Sequence, residues 1–162
     1  MLTWGQLEER RPGLAHAGKG LLYQWGVGLA FLSTTRRDGG PRAHPMSPII
    51  VGDLLVGLIV PGPKMYDLVR DGRYAMHYFP AEESEDAFYI TGRATELHEH
   101  DFRRKVEGQF ISERSMSEHP PGIHEQRLFR FDIEGCLHTT TTGHGDPFPQ
   151  HTVYRCTDAS TS

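Results

Sequence analysis

The sequence predicts a mainly β protein, built as a small antiparallel barrel that is closed or partly closed and carries a few short helices. About six or seven short runs have the length and the apolar alternation of β-strands, and turn residues separate them. A hairpin signal, Asp38-Gly39-Gly40, follows the first run, and a Gly52-Asp53 turn precedes the third. These turns predict that the chain meanders antiparallel through its first strands.

Length and composition predict one globular domain. The chain has 162 residues, of which 37% are hydrophobic and 23% are charged, and this composition argues against a disordered or fibrous protein. We expect a single barrel domain over residues 1–162, with an N-terminal helical segment over about 3–25. A C-terminal extension is expected over about 143–162, with a frayed end from residue 157.

The net charge and the cysteines limit the binding partners and the cellular compartment that we expect. The formal net charge of -4 provides no positive field for nucleic acid or anionic lipid, so neither is expected as a partner. The most apolar stretch, residues 49–60, is shorter than the roughly 20 residues that a transmembrane helix needs. Cys136 and Cys156 form no disulfide framework, and Met1–Arg11 has no signal-peptide pattern, so we predict a cytoplasmic protein.

Four helices follow from local patterns. Thr3 and Gln6 form a capping box that predicts a helix over Trp4–Arg11, and helical spacing predicts a second over Leu14–Trp25. A short helix is predicted from Met65 to about residue 71. A fourth helix is predicted after an Asp101 cap, with a buried stripe of Phe102, Val106 and Phe110.

Alternating apolar residues predict the strands. They cover residues 27–35, 42–51, 54–60, 74–79, 88–97 and 128–133, the last extending toward 139–142, with a short final strand over 151–155. Because proline lacks the amide hydrogen that a sheet needs, Pro45 and Pro48 make the second an edge or interrupted strand.

The segment most informative about function runs from Ile59 to Leu68. A hydrophobic strand leads into a Pro61-Gly62-Pro63 turn, and Lys64 then occupies the first turn of a helix. The unpaired amides and the dipole at a helix start attract anions, and Lys64 adds a positive charge there. A phosphate monoester, with close to two negative charges, suits such a site. The alternative is a surface lysine after an ordinary strand-to-helix turn.

Arg42 is predicted to lie near Lys64. It begins the second strand, and in an antiparallel meander the third strand ends, at Val60, on the same side of the sheet. Two cations beside one helix start strengthen the phosphate interpretation. In the alternative, Arg42 pairs with Asp38 or with another acid across the hairpin, and charge alone does not separate the two.

An ordered series of short motifs runs from Leu29 to Leu97. It begins with Phe31–Met46 and the Gly-Asp turn, and continues through Lys64, Asp67-Leu68, Asp71-Gly72-Arg73 and Tyr89–Ala94. In this order the motifs resemble those of the flavin-binding split-barrel family named after pyridoxamine 5′-phosphate oxidase. The resemblance covers more than half of a domain-sized chain.

The resemblance implies a six-stranded antiparallel split β-barrel of the FMN-binding type, which forms a homodimer with flavin in two symmetric clefts between the subunits. The phosphate is expected on Lys64, and relatives on this scaffold use FMN, the deazaflavin F420 or, in some branches, haem. The implied cofactor-binding residues are Arg42, His44, Pro45 and Met46 on the second strand, Ile59, Val60 and Pro61 at the end of the third, and Lys64.

Three departures from the family pattern bear on function. Gly62 stands where the family often has a serine or threonine, so one hydroxyl ligand of the phosphate is absent, although glycine allows close backbone approach. The usual Asn-Pro-Arg before the fourth strand is Asp71-Gly72-Arg73. The C-terminal Trp/Arg signature of true pyridoxamine phosphate oxidases is missing, so that specific enzyme is rejected while the scaffold is kept.

The ten histidines are candidate metal ligands, but their spacing does not match a metal-binding motif. His44 and His77 lie in predicted strands, where a neutral imidazole could hydrogen-bond a flavin carbonyl, ligate haem iron or simply pack. His98-Glu99-His100 matches no metal motif, so no metal is predicted. It would need a third ligand from elsewhere, such as His119, His124 or His138.

We therefore predict a flavin-dependent oxidoreductase that transfers hydride or electrons to a small molecule, with Lys64 and Arg42 on the cofactor phosphate. FMN is preferred to F420 because a compact monophosphate needs few ligands, and haem is the third choice. No catalytic residue is assigned, because the flavin ring performs hydride transfer without a protein acid or base. The alternatives are an F420-dependent reductase, a non-enzymatic flavin or haem carrier or sensor, and a barrel without a ligand.

Overall fold

A computed structural model describes residues 1–81 and 84–156 of the chain. In these residues the helices are α1 (Trp4–Arg10), α2 (Pro12–Leu22), α3 (Pro63–Arg70) and α4 (His100–Glu113), and a 3-10 helix covers Ile123–Glu125. The strands are β1 (Ala30–Thr35), β2 (Pro41–Met46), β3 (Ile49–Val51), β4 (Leu54–Ile59), β5 (Arg73–Tyr78), β6 (Ala87–Leu97), β7 (Arg127–Thr140) and β8 (Gln150–Arg155). The predicted frayed end, from residue 157, lies outside the described residues.

The strands form one antiparallel sheet that is split between β2 and β3. Its order is β2-β1-β5-β6-β7-β4-β3, with β8 added on β7. The strands at the two ends of this path, β2 and β3, are separated in the chain only by Ser47 and Pro48. The sheet therefore curls back on itself without closing, and the predicted fold class is confirmed.

The interrupted second strand is confirmed and explains the strand count. Its first half, β2, pairs with β1, and its second half, β3, pairs with β4. The described residues hold eight strands where the implied barrel has six, because this strand is divided and because β8 pairs along β7.

The N-terminal capping box is also confirmed. Oγ1 of Thr3 accepts from the Gln6 amide at 3.3 Å, and Oε1 of Gln6 accepts from the Thr3 amide at 3.0 Å. Two donors at the start of α1 are thus satisfied reciprocally. Trp4, the first residue of this helix, is fully buried and packs edge-to-face on Phe88 at 6.4 Å.

Several predicted boundaries are wrong. Helix α2 covers Pro12–Leu22 rather than Leu14–Trp25, and α3 begins at Pro63 rather than at Met65. The first strand begins at Ala30 rather than at residue 27. Before it, Gly28 passes so close to the carbonyl oxygen of Pro48 that a Cβ on Gly28 would lie 1.9 Å from it. Helix α4 begins at His100, with Glu99 as its N-cap residue, so Asp101 is not the cap. Asp101 lies in the first turn, where its carboxylate pairs with Arg104 at 2.7 Å.

The core has two parts. The larger lies between the sheet and helices α1, α2 and α3, and the smaller lies between α4 and strands β3, β4 and β7. The stripe predicted on α4 is confirmed, since Val106 is buried in the smaller core and Phe102 and Phe110 pack against it. Among the described residues, no helix has the length and apolar composition to cross a membrane.

Candidate functional site

The start of α3 is built as an open helix N-terminus. Gly62 is its N-cap residue and Pro63 its first residue, and no described side chain caps it. The first amides of a helix have no partner within the helix, so those after Pro63 are free to face an anion. A Cβ on Gly62 would meet only the carbonyl oxygen of Val60, at 4.0 Å. The Gly62 position therefore leaves room for a ligand beside the backbone.

Lys64 is a half-buried cation at this helix start. Its Nζ donates to the carbonyl oxygen of Pro45 at 3.4 Å, and among the described residues it forms no ion pair with a carboxylate. Burial lowers the pKa of its ammonium group below the usual value. A partly desolvated ammonium without a counter-ion gains free energy when an anion binds next to it.

Arg42 is held by a carboxylate on the same helix. Its Nε lies 2.8 Å from Oδ2 of Asp67, a residue that is only 5% exposed. Thr34 and Arg70 also donate to this carboxylate, at 3.0 and 3.1 Å. Burial, the largest single influence, raises the pKa of Asp67, but the hydrogen bonds from Arg42, Thr34 and Arg70 outweigh it, so that the pKa is lowered.

The acid that pairs with Arg42 was not identified from the sequence. Asp38, named there as an alternative, instead lies 3.4 Å from Arg36. The available signal was helical spacing, because Asp67 follows Lys64 by three residues and therefore lies on the same side of α3. The terminal amino groups of Arg42 have no hydrogen bond to any other described residue, so they stay available to a ligand.

Helix α3 lies antiparallel to β2, and this brings both cations to one corner. Lys64, near the start of the helix, reaches Pro45, near the end of β2. Asp67, one turn later, reaches Arg42, near the start of β2. Arg42 and Pro45 are three residues apart, roughly 10 Å along the strand. Both predicted phosphate ligands thus lie at helix α3, Lys64 as one of its residues and Arg42 through its contact with Asp67, and this place is called the Lys64 corner below.

The eight predicted cofactor-binding residues differ in exposure. Alternation along β2 turns Arg42, His44 and Met46 to one face and Pro45 to the other. The side chains of Met46 and Ile59 are buried in the core, so these two residues can offer a ligand only their backbone. Arg42 and Lys64 are half-buried, and the exposed members are His44, Pro45, Val60 and Pro61.

A row of outward-facing side chains crosses the sheet from the Lys64 corner. Cross-strand pairing joins its members one to the next, so all of them lie on the same face. Phe31, Tyr89 and Val153 are 37%, 38% and 49% exposed, which is high for large apolar side chains on a sheet. The row, called the outward row below, consists of Pro45, Phe31, His77, Tyr89, Leu137 and Val153.

His77, in the middle of the outward row, is held in one tautomer. Its Nδ1 lies 2.7 Å from the carbonyl oxygen of Tyr78. A carbonyl can only accept, so Nδ1 carries the hydrogen and Nε2 of the neutral ring keeps its lone pair. Nε2 of neutral His77 therefore cannot donate a hydrogen bond to a flavin carbonyl, one of the roles considered from the sequence. The acceptor and metal-ligand roles remain open to it.

Two clefts lie away from the Lys64 corner. One of about 690 Å³ between β6, β7 and β8 is lined by none of the eight predicted residues, although Tyr89, Leu137 and Val153 border it. A second, of about 700 Å³, is lined by His100, His119 and His124 among others. In the part of the chain that the structure describes, no three histidine, cysteine or acidic side chains are grouped so that they could hold a metal ion.

The strand order, with its open edge between β2 and β3, defines a split β-barrel. No family model matches the sequence, and no curated protein matches it. The similarity to known proteins is therefore one of structure.

Several solved structures share this fold. A Clostridium acetobutylicum protein related to general stress protein 26 of B. subtilis, from the pyridoxinephosphate oxidase family, is 12% identical with a TM-score of 0.58, and the match covers 95% of this chain and 97% of that one. An F420 reductase is 14% identical with a TM-score of 0.56, over 67% of this chain and 87% of the other. A heme binding protein from Mycobacterium smegmatis is 13% identical with a TM-score of 0.57 over 90% of this chain, which spans 59% of that protein's length.

These likenesses confirm the split-barrel fold and the structural resemblance expected from the sequence. At identities of 12% to 14%, they establish the fold and leave the ligand and the reaction to be argued from this chain's own residues.

Proposed function

We propose that this protein binds FMN and uses it to transfer hydride or electrons to a small molecule. The observation that carries the proposal is Lys64, a half-buried cation without a carboxylate partner among the described residues, at an uncapped helix start. Helix dipole, open amides and ammonium all favour an anion at one point. A phosphate monoester supplies close to two negative charges there.

In this proposal, specific residues hold each part of the cofactor. Lys64 and the terminal amino groups of Arg42 bind the phosphate, and Asp67 fixes the direction of the Arg42 side chain. Backbone groups of residues 44–46 and 59–61 line the ring system. When bound, the flavin supplies hydride or electron transfer at its ring, so the chain's own task is to bind it, orient it and set its polarity.

The proposal includes a homodimer. The outward row exposes large apolar side chains across six strands, and covering such a face with a second copy of the chain would remove it from water. In a dimer of this kind the Lys64 corner lies next to the covered face, because Pro45 belongs to both. A cytoplasmic location is also part of the proposal, since Cys136 and Cys156 are both free thiols.

Haem binding is the second candidate function, and His77 favours it. Histidines that ligate metals usually donate their other ring N–H to a carbonyl or carboxylate, as Nδ1 of His77 does to Tyr78. An F420-dependent reductase is a variant of the first proposal, because F420 also carries a phosphate on its side chain. A flavin carrier or sensor would use the same residues without turnover.

Parallel titrations of the purified protein with FMN, riboflavin, F420 and haemin test these functions. We expect FMN to bind more tightly than riboflavin, which lacks the phosphate. Reduction of the bound flavin by a nicotinamide nucleotide would then separate an enzyme from a carrier. Equal affinities for FMN and riboflavin would contradict the phosphate site, and tight binding of haemin alone would favour the second candidate.

A further inference from the structure

We infer that His77 contacts the ring system of the bound flavin and accepts a hydrogen bond from a ring N–H through its Nε2. The inference rests on the proposed function and assigns a ring-binding residue that lies outside both chain segments predicted to line the ring. It is carried by three features of the described residues: the position of His77 in the outward row, the tautomer of its imidazole, and the aromatic side chains around it.

The first feature is the distance between His77 and the phosphate corner. The pairs Phe31–Pro45 and Phe31–His77 place His77 two strands from Pro45, whose carbonyl oxygen accepts from Lys64. Neighbouring strands lie about 4.8 Å apart, so the step across the sheet is on the order of 10 Å. The phosphate of FMN is joined to its ring by a five-carbon chain. A phosphate on Lys64 therefore puts the ring within reach of His77.

The second feature is the chemical state of the imidazole. Because Nδ1 donates to the carbonyl oxygen of Tyr78, the neutral ring presents Nε2 as an acceptor only. A ligand that suits this position carries a hydrogen-bond donor in a flat ring. The imide N–H of a flavin is such a donor, and the dimethylbenzene end of the flavin is not.

The third feature is the set of flat side chains that flank His77. On one side Phe31 stacks on Phe79, with ring centroids 4.2 Å apart and planes 17° apart, and Trp25 meets Phe79 edge-on at 6.5 Å. On the other side lies Tyr89, the cross-strand partner of His77. Partly exposed aromatic faces on both sides provide a surface on which a planar ring can stack.

The test compares two variants of similar size that differ in their ability to accept a hydrogen bond. His77→Leu removes the acceptor, and His77→Gln keeps one at a similar distance from the backbone. We expect His77→Leu to weaken the binding of FMN by about two- to tenfold, and to weaken riboflavin by the same factor, since the contact is to the ring. His77→Gln should recover most of the affinity. His16→Gln, on the exposed face of α2, is the matched control and should change nothing.

Nitrogen NMR of histidine-labelled wild-type protein gives a readout that depends on no variant. We expect the ligand-free protein to show His77 protonated at Nδ1, and the Nε2 resonance to move when FMN is added. An Nε2-protonated ring, or an unmoved resonance in the FMN complex, would overturn the inference.

The outcomes separate this inference from the proposal on which it rests. If FMN binding depends on Lys64 while both His77 variants bind as wild type does, the inference fails and the proposed function stands. If the wild type binds no flavin, both fail. A haemin absorption band that His77→Leu abolishes, in a protein that binds no flavin, would assign His77 to iron instead.

Discussion

Oδ2 of Asp67 lies 2.8 Å from Nε of Arg42 and joins helix α3 to strand β2 at the corner where we propose that phosphate binds. The other oxygen of the same carboxylate lies 3.1 Å from Nη1 of Arg70, whose guanidinium also donates to the carbonyl oxygen of Thr35. One buried acid thus fixes two arginines and the hydroxyl of Thr34. This leaves Lys64 as the cation of the corner that has no acid of its own among the described residues.

Replacing Asp67 with asparagine should destabilise the fold. The change leaves Arg42 and Arg70 without their shared carboxylate, and hydrogen bonds to a charged group contribute about 1.5–3 kcal/mol each at most. Because both arginines are partly exposed, we expect a loss of about 2 kcal/mol in the free energy of unfolding, measured by urea denaturation. The control is Asp38→Asn at an exposed pair, where the loss should stay below about 0.5 kcal/mol. Equal losses in the two variants would contradict the role given to Asp67.

The same carboxylate should make stability depend on pH in acid. The folded pKa of Asp67 is lowered from its ordinary value of 3.8, so its ionised form stabilises the fold. That contribution is fully present above pH 3.8 and is lost as the pH falls through the lower folded value. We expect the difference in unfolding free energy between wild type and Asp67→Asn to shrink below this pH. A difference that stays constant down to roughly pH 2 would show that the charge of Asp67 does not matter.

Lys64→Ala should weaken FMN binding by about 1.5–3 kcal/mol, the range for hydrogen bonds to charged groups. Its effect on riboflavin should be small, because riboflavin carries no phosphate. Fluorescence titration of both ligands measures the two effects. Lys105→Ala, an exposed lysine on α4, is the matched control. Unchanged FMN affinity in Lys64→Ala would remove the phosphate assignment.

Gly62→Ser should strengthen the binding of FMN. A Cβ at this position would meet only the carbonyl oxygen of Val60, at 4.0 Å, so there is room for a small side chain. The hydroxyl can cap α3 or donate to the phosphate, and a gain of up to about tenfold in affinity follows from one added hydrogen bond. Gly62→Ala adds the same Cβ without the hydroxyl and should give no gain. If the two variants bind FMN alike, the anion does not lie beside Gly62.

Tyr89→Glu should dissociate the proposed dimer. Tyr89 is 38% exposed in the outward row, so a carboxylate there fits the single chain but would be buried without a partner between two chains. Light scattering coupled to size exclusion should report a dimer for the wild type and a monomer for the variant. Phe148→Glu is the control, because Phe148 is 79% exposed and lies outside the row. A Tyr89→Glu protein that stays dimeric would place the interface elsewhere.

Local patterns were sufficient to predict most of the elements. The capping box of Thr3 and Gln6 and the buried stripe of α4 depend on neighbours within one or two turns, and both are confirmed. The break in the second strand followed from prolines that cannot donate to a sheet. Asp101 was misread as a cap because it is a good capping residue at the start of a helix, and Glu99 in fact occupies that position.

The pairing of the strands could be predicted from the sequence only in part. β1 pairs with β5 as well as with β2, and β4 pairs with β7, which lies some seventy residues further along the chain. Such pairings depend on which faces bury together after the chain has collapsed, and residue spacing within one strand carries little information about them.

At the candidate site, the charges could be predicted and their partners could not. Lys64 and Arg42 were assigned to one corner from turn types and strand direction; Lys64 lies on α3, and Arg42 contacts Asp67 of the same helix. The pairing of Arg42 with Asp67 requires the packing of α3 on β2, a tertiary contact. The assignment of these residues to a cofactor stays a prediction, and the titrations above test it.

Strand β2 ends the sheet path, and two of its six residues, Pro41 and Pro45, lack an amide hydrogen. Further strands can add to an edge strand whose backbone amide donors are all free, and soluble β proteins begin to form fibrils in this way. Here the missing donors oppose such growth along the rim of the sheet. Lateral polymerisation through β2 is therefore disfavoured, and the dimer proposed above would form through the face of the sheet instead.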